Sequence, residues 1–186
     1  IFEDPLYDEL KYTSGELVQL CMKPGLEGSA VRNYSVASWP DGTNKFELIV
    51  TYLKGGAMSE YLFKEAKVGD EFIYRGPMGS FVLPKKIDRD IFFISTGSGI
   101  SPFRSMINYV AENDIKTKDI KLFFGTRTQE DICYWDEMKL LEQMVPNFEF
   151  IPVLSREEWK GKTGYVHQHY LELIDNRNDK PLIYYC

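Results

Sequence analysis

Cysteine is scarce and scattered: Cys21, Cys133 and Cys186 stand far apart in 186 residues, with no C-x-x-C pair. A structural zinc site or a cysteine-held iron–sulfur cluster takes about four gathered ligands, so both are excluded. An odd, dispersed set fits a reducing, cytoplasmic compartment better than a disulfide framework. Histidine is scarcer still. His167 and His169 lie two apart with no third ligand near, which does not make a metal site. No apolar run approaches the roughly 20 residues of a membrane span, and none of the residues given reads as a signal peptide. Positive charge is in deficit, 22 Lys and Arg against 28 Asp and Glu for a net charge of −6. That balance argues against a nucleic-acid binder, while leaving room for a local basic patch that docks an acidic protein. Internal repeats and low-complexity segments are missing too. The chain starts at Ile1 without Met and stops on an expected strand at Cys186, so both ends read as cut.

Aromatic residues, by contrast, are plentiful. Twelve Tyr, twelve Phe and three Trp favour strands and pockets for flat ligands. Their rhythm divides the chain at Pro84-Lys85-Lys86. Before it, short strands alternate with glycine turns. Residues 17–22 form one candidate, residues 33–38 another, and residues 45–53 the clearest, with Phe46, Leu48, Val50 and Tyr52 alternating against Glu47, Ile49 and Thr51. Pro40-Asp41-Gly42 is the turn between the last two. Short strands at this spacing predict a barrel or sandwich.

After Pro84, residues 90–95 (DIFFIS) form a compact apolar run of the kind buried on both faces of a sheet. A glycine-rich turn leads into a helix with Phe103, Met106, Ile107, Val110 and Ala111 on one face. Strands are expected at 121–124, 148–154 and 182–186, and a helix at 133–144. Strand–helix alternation predicts a doubly wound parallel sheet. The organisation is therefore two domains, residues 1–86 and 87–186.

Three loops offer chemistry. Thr96-Gly97-Ser98-Gly99-Ile100-Ser101-Pro102 joins the buried strand to the amphipathic helix. Glycines there allow a tight turn and close approach to a ligand, Ser101 is placed to cap a helix beginning at Pro102, and free amides at a helix start attract phosphate. An ordinary strand-to-helix turn would use the same residues, and the third glycine of the Rossmann fingerprint is absent. Arg32-Asn33-Tyr34-Ser35-Val36-Ala37-Ser38 puts Arg32, Tyr34, Val36 and Ser38 on one face of a strand. Gly55-Gly56-Ala57-Met58-Ser59 opens a short helix with Tyr61 and Leu62. Asp136 and Glu137 read as solvated or capping groups, and Tyr134 as a packing residue.

Taken together, R-x-Y-S-x-x-S, then G-G-x-x-S, then G-P-x-G-x-F at Gly76, then T-G-x-G-I-x-P resemble the ferredoxin–NADP reductase superfamily, from about Tyr12 to Cys186. The resemblance implies an antiparallel β-barrel that binds FAD, lacking its first strand here, followed by an NAD(P)-binding α/β domain lacking its C-terminal part. It places Arg32 on the FAD pyrophosphate, where a fork of donors with fixed charge suits. Tyr34 lies against the isoalloxazine ring and Ser35 near the flavin nitrogen that receives hydride. The backbone of Gly56, Ala57, Met58 and Ser59, with the Ser59 hydroxyl, holds the pyrophosphate. Gly76-Pro77-Met78-Gly79 becomes a turn after a strand at 71–75. Thr96, Gly97 and Gly99 hold the nicotinamide dinucleotide, and Cys186 stands beside the hydride-transfer centre, although a buried strand cysteine reads the same way. Ser35 and Cys186 are thus the catalytic candidates.

Arg127, Ser155 and Arg156 end two adjacent strands and would read the cofactor's far end. Ser155 and Arg156 favour NADPH, whereas residues 159–166 also resemble the NADH-using oxygenase reductases. The implied activity is hydride transfer from NADPH or NADH to FAD, then electron transfer to ferredoxin, flavodoxin or an oxygenase component. Two rivals are a dehydrogenase working without flavin, which leaves the Arg32 and Gly55 motifs without a role, and a non-catalytic flavin-binding subunit.

Overall fold

The computed structural model describes residues 1–22, 31–175 and 177–186. Its first half holds β1 (Phe2–Glu3), β2 (Leu17–Cys21), β3 (Val31–Ser35), β4 (Lys45–Phe46), helix α1 (Ala57–Lys64) and β5 (Ile73–Met78). All pairings are antiparallel: β2 lies between β3 and β5, β1 pairs with β4, and a bridge from Val36 to Leu48 connects the two small sheets. Alternation along β2 sends Val18 and Leu20 fully inward. Val18 joins Leu10, Val36 and Phe46, while Leu20 joins Met22 and Met58 under α1.

Two strands differ from expectation. The clearest sequence candidate, 45–53, keeps only Lys45–Phe46 and the Leu48 bridge. Its alternation has another cause: Phe46 and Leu48 pack inward on their own half, whereas Ile49 packs on the core of the second half. Beyond it, the chain bends at Leu53, whose carbonyl accepts the Gly56 amide at 2.9 Å. The turn expected at 76–79 begins later, because β5 runs on to Met78, opposite Leu17, across a register shift in β2 between Leu17 and Gln19.

The second half holds β6 (Ile91–Thr96), α2 (Ser101–Glu112), β7 (Ile120–Thr126), α3 (Trp135–Met144), β8 (Phe148–Leu154), β9 (Lys162–Thr163), α4 (Val166–Asp175) and β10 (Leu182–Tyr185). The sheet is wholly parallel in the order β10-β6-β7-β8-β9. Period-2 geometry splits β6 between two cores. Ile91 and Phe93 meet α2 and α3 on one face, and Phe92 and Ile94 meet α4 on the other. The fold is therefore doubly wound, as its apolar run predicts.

Sequence reasoning does not anticipate β9 or α4, and it starts α3 two residues early. Tyr134 has φ 58°, the left-handed region, which stops the helix from extending back to Cys133. Ser101 does not cap α2 either. A 3-10 turn, Gly97–Ile100, runs straight into the helix, so Ser101 is already helical and its hydroxyl donates back to the Ser98 carbonyl at 2.7 Å.

The halves pack directly on each other. The Phe81 ring lies 5.8 Å from that of Phe103 and 5.3 Å from that of Tyr184, whose hydroxyl donates to the Val82 carbonyl at 3.0 Å.

Candidate functional site

In the parallel sheet, the chain steps from β6 outward through β7, β8 and β9, then returns to place β10 on the other side of β6. The order reverses between β6 and β10. Loops at the carboxyl ends of such strands diverge and leave a crevice, the usual ligand position in open α/β sheets. An open, mostly apolar depression of about 350 Å³ lies there, lined by Ile94, Ser95, Thr96, Tyr185 and Cys186.

Two glycines shape its rim. Gly97 has φ +52°, which side-chain-bearing residues rarely adopt. A Cβ on Gly99 would stand 2.5 Å from the Cys186 carbonyl oxygen, so the loop can close over β10 only without a side chain. Cys186 itself is held by its amide, which donates to the Ile94 carbonyl at 3.0 Å. Burial pushes its thiol pKa up, so the group stays a neutral thiol. At the floor, the Ser95 hydroxyl is buried and has no partner among the described residues. A buried polar group without a partner is costly, and it fits a site whose ligand supplies the missing bond.

In the first half, α1 begins at Ala57 with Gly56 as its N-cap. Within the helix the first amide with a carbonyl partner is that of Glu60, bonded to Gly56. By helix geometry the amides of Ala57, Met58 and Ser59 have no carbonyl partner inside α1, and such a helix start attracts anions. The Ser59 hydroxyl faces the turn instead, accepting from the Leu53 amide at 3.1 Å and donating to the Leu53 carbonyl at 2.9 Å. Glu60 accepts from the Gly55 amide and the Tyr52 hydroxyl and pairs with Lys64. These donors lower its pKa to about 2.

Met58 packs in one cluster with Tyr34, which brings the helix start and the tyrosine strand together. Tyr34 is half-buried and its phenol pKa is raised by desolvation. Ser35, on the opposite face of β3, is also half-buried, and Arg32 is exposed with its Nη1 on the Val31 carbonyl at 2.8 Å. An exposed guanidinium on the strand that packs on Met58, and a helix start with free N-terminal amides, are the kind of donors that suit a pyrophosphate.

The ends of β7 and β8 meet as the strand order requires. The Ser155 amide donates to the Thr126 carbonyl at 3.0 Å, and the Arg156 amide to the Arg127 carbonyl at 3.0 Å. The side chains of Arg127 and Arg156 are exposed. Glu157, beside them, accepts the Gln129 amide at 2.7 Å.

Sequence reasoning missed Ser95 and Tyr185 as lining residues. The signal for them is positional, since each closes an apolar strand at the reversal. It also misjudged Glu137, which is not a solvated group. Both its carboxylate oxygens accept from the Nε of Arg104, at 2.8 and 3.0 Å.

Comparisons with known proteins agree with this geometry. Residues 3–83 match the oxidoreductase FAD-binding domain family and residues 93–186 the oxidoreductase NAD-binding domain family. Over 183 residues the chain is 36% identical to a ferredoxin–NADP reductase B of Sorangium cellulosum, covering 94% of this chain and 73% of that one. It is 32% identical over 181 residues to the reductase component of a Pseudomonas phenol 2-monooxygenase, covering 95% and 50%. A crystal structure of an Amycolatopsis cytochrome P450 reductase superposes with a TM-score of 0.84 at 26% identity, covering 96% of this chain and 54% of that one. Several of the curated relatives are about twice as long as the segment matched here. The chain belongs to the ferredoxin–NADP reductase superfamily, whose cofactors are FAD and NAD(P)H. Among the described residues, no helix is long and apolar enough to cross a membrane.

Proposed function

We propose that this chain, with residues 1–86 as the flavin-binding part and 87–186 as the nicotinamide-binding part, passes reducing equivalents from NAD(P)H through FAD to a protein acceptor. The acceptor is of the ferredoxin, flavodoxin or oxygenase-component kind. The observation that carries the reading is the crevice at the strand-order reversal, where the Gly97–Gly99 loop, Cys186 and the Ser95 hydroxyl, without a partner among the described residues, converge. When bound, FAD supplies two-electron acceptance from the nicotinamide and onward release of electrons.

The protein's part is position and electrostatics. Arg32 and the amides of Ala57, Met58 and Ser59 bind the flavin's pyrophosphate, with Gly56 keeping the turn tight. Tyr34 flanks the ring system, and Ser35 donates a hydrogen bond near the reacting nitrogen. Thr96, Gly97 and Gly99 hold the nicotinamide dinucleotide, and Cys186 shapes the space beside the reacting carbon. Arg127, Ser155 and Arg156 meet the adenosine end. None of these groups has to act as a strong acid or base.

The test is an absorbance spectrum of the purified protein before and after NADH or NADPH, with the released chromophore identified by mass. FAD that bleaches on addition of either nicotinamide is the expected result. Bound flavin that neither cofactor reduces would leave a non-catalytic flavin subunit. Ser35→Ala should slow flavin reduction at unchanged flavin content, because it removes one oriented donor at the reacting centre.

A further inference from the structure

Arg104 is the most deeply buried cation of the described chain, 7% exposed in the first turn of α2, just behind the 96–100 loop. Burying a guanidinium carries a desolvation cost, and a residue kept there must satisfy its donors. Arg104 places its Nε and Nη1 on groups from both halves of the protein. Its Nε donates to Glu137 of α3. Its Nη1 donates to the Ala37 carbonyl at 3.0 Å and to Glu47 Oε2 at 2.6 Å, both in the first half. Two rings also meet the guanidinium, whose carbon lies 4.4 Å from the Tyr134 centroid and 5.5 Å from that of Trp39. Tyr134 reaches this position through its left-handed backbone, and Asn108 steadies Glu137 with a 2.8 Å hydrogen bond. Burial alone would lower the guanidinium pKa, but Glu137, Tyr134 and Glu47 hold it above its ordinary value, so the charge is permanent.

The first-half partners are not arbitrary. Ala37 follows Ser35 by two residues and is fully buried. The Ala37 amide donates to the Glu47 carbonyl at 2.8 Å, and the Glu47 amide to the Ser38 hydroxyl at 3.0 Å, so both acceptors belong to one hydrogen-bonded pair of segments. One planar fork therefore ties the strand carrying Tyr34 and Ser35 to the helix that begins at the nicotinamide loop.

We infer that Arg104 is a positioning residue for hydride transfer: through Ala37, Glu47 and Glu137 it sets the relation between the flavin-side strand and the nicotinamide-side loop. The inference rests on the proposed function for its kinetic consequence and on the geometry alone for the coupling. Lysine cannot replace the fork, since a point charge on a flexible stem lacks its fixed planar set of donors. A misplacement of about an ångström between reacting groups lowers the rate by as much as a hundredfold.

The experiment compares wild type, Arg104→Lys and Arg104→Met as purified holoproteins. Lys keeps the charge and is the variant that decides the matter if Met fails to fold. Amide hydrogen exchange should speed up together at residues 34–37 and 97–101 in Arg104→Lys, with the amides of β7 and β8 unchanged. Flavin content should hold, while the limiting rate of flavin reduction per bound flavin falls roughly tenfold or more and the nicotinamide Kd changes little. Faster exchange confined to α2 and α3 would overturn the inference, showing that Arg104 serves only its own half. An unchanged reduction rate per flavin in Arg104→Lys would overturn it as well. Should wild-type flavin resist both nicotinamides, the proposed activity falls, and joint exchange at 34–37 and 97–101 still decides the coupling.

Discussion

The two halves of this protein hold themselves together differently. In the parallel sheet, β6, β7 and β8 bury most of their residues, and helices cover both faces. The antiparallel half has strands of two to six residues and smaller cores. It relies on polar side chains to fix its loops. The Tyr74 hydroxyl donates to Asp4 at 2.5 Å, the Asn44 amide group to the Asp4 carbonyl at 3.0 Å, and Tyr12 shares a 3.0 Å bond with Ser38. Its helix start and its Tyr34–Ser35 strand stay partly open. Under the proposed function this region presents backbone amides and Tyr34 to a ligand, which it cannot do while burying them, so it is expected to gain part of its order from what it binds. The parallel half has its core already.

The sharpest break of that contrast is Phe93→Ala. Phe93 stacks on Phe103 with centroids 4.5 Å apart and is fully buried, so its loss should cost about 3–5 kcal/mol, read by urea unfolding with or without flavin. A cost that vanished when flavin was present would erase the contrast.

Flavin removal should act on the other half. At a hundredfold excess over Kd, ligand binding contributes about 2.7 kcal/mol, and hydrogen exchange should place the loss in β2, β3 and α1 while β6–β8 stay protected. Equal loss across both halves would mean that the core of the parallel half is not self-sufficient.

Arg156→Ala should weaken NADPH by about 1.5–3 kcal/mol, the worth of a charge-assisted hydrogen bond, and leave NADH nearly unaffected. Steady-state kinetics with both cofactors decide this. Equal loss would assign Arg156 to supporting the loop beside Glu157 and Gln129.

The smallest effect is a titration. Desolvation, more than the bond to Ser38 opposes, raises the Tyr12 phenol to about 12 from an ordinary 10.0. A value raised on folding stabilises the native state fully below about pH 10, and that contribution is lost as pH rises through 12. Ultraviolet absorbance at alkaline pH, compared with Tyr12→Phe, should show one phenol ionising late. Ionisation near 10 would mean that the Tyr12–Ser38 contact is open to solvent.

Much of this protein was legible in its residues. The run at 90–95, the glycine loop after it and the periodic helix at Phe103–Ala111 specify a parallel sheet with a crevice, because period and turn chemistry are local. The motifs at Arg32, Gly55 and Thr96 carry the family for the same reason. What the pattern misread was tertiary. Residues 45–53 alternate as a strand would, yet Ile49 belongs to the other half's core, and no window of sequence records which surface a residue meets. β9 and α4 were missed because the first is two residues long and the second follows it without a clear apolar lead.

Arg104 marks the limit most clearly. One arginine among apolar neighbours in a helix does not announce its partners, since Ala37, Glu47 and Glu137 lie 67, 57 and 33 residues away. Composition and periodicity determined two halves, because burial and backbone conformation follow from nearby residues, and the motifs' resemblance to a family implied the kind of ligand each takes. Where the halves meet, and through which charge, was decided only in three dimensions, because a buried cation is stable wherever the folded chain gathers its acceptors.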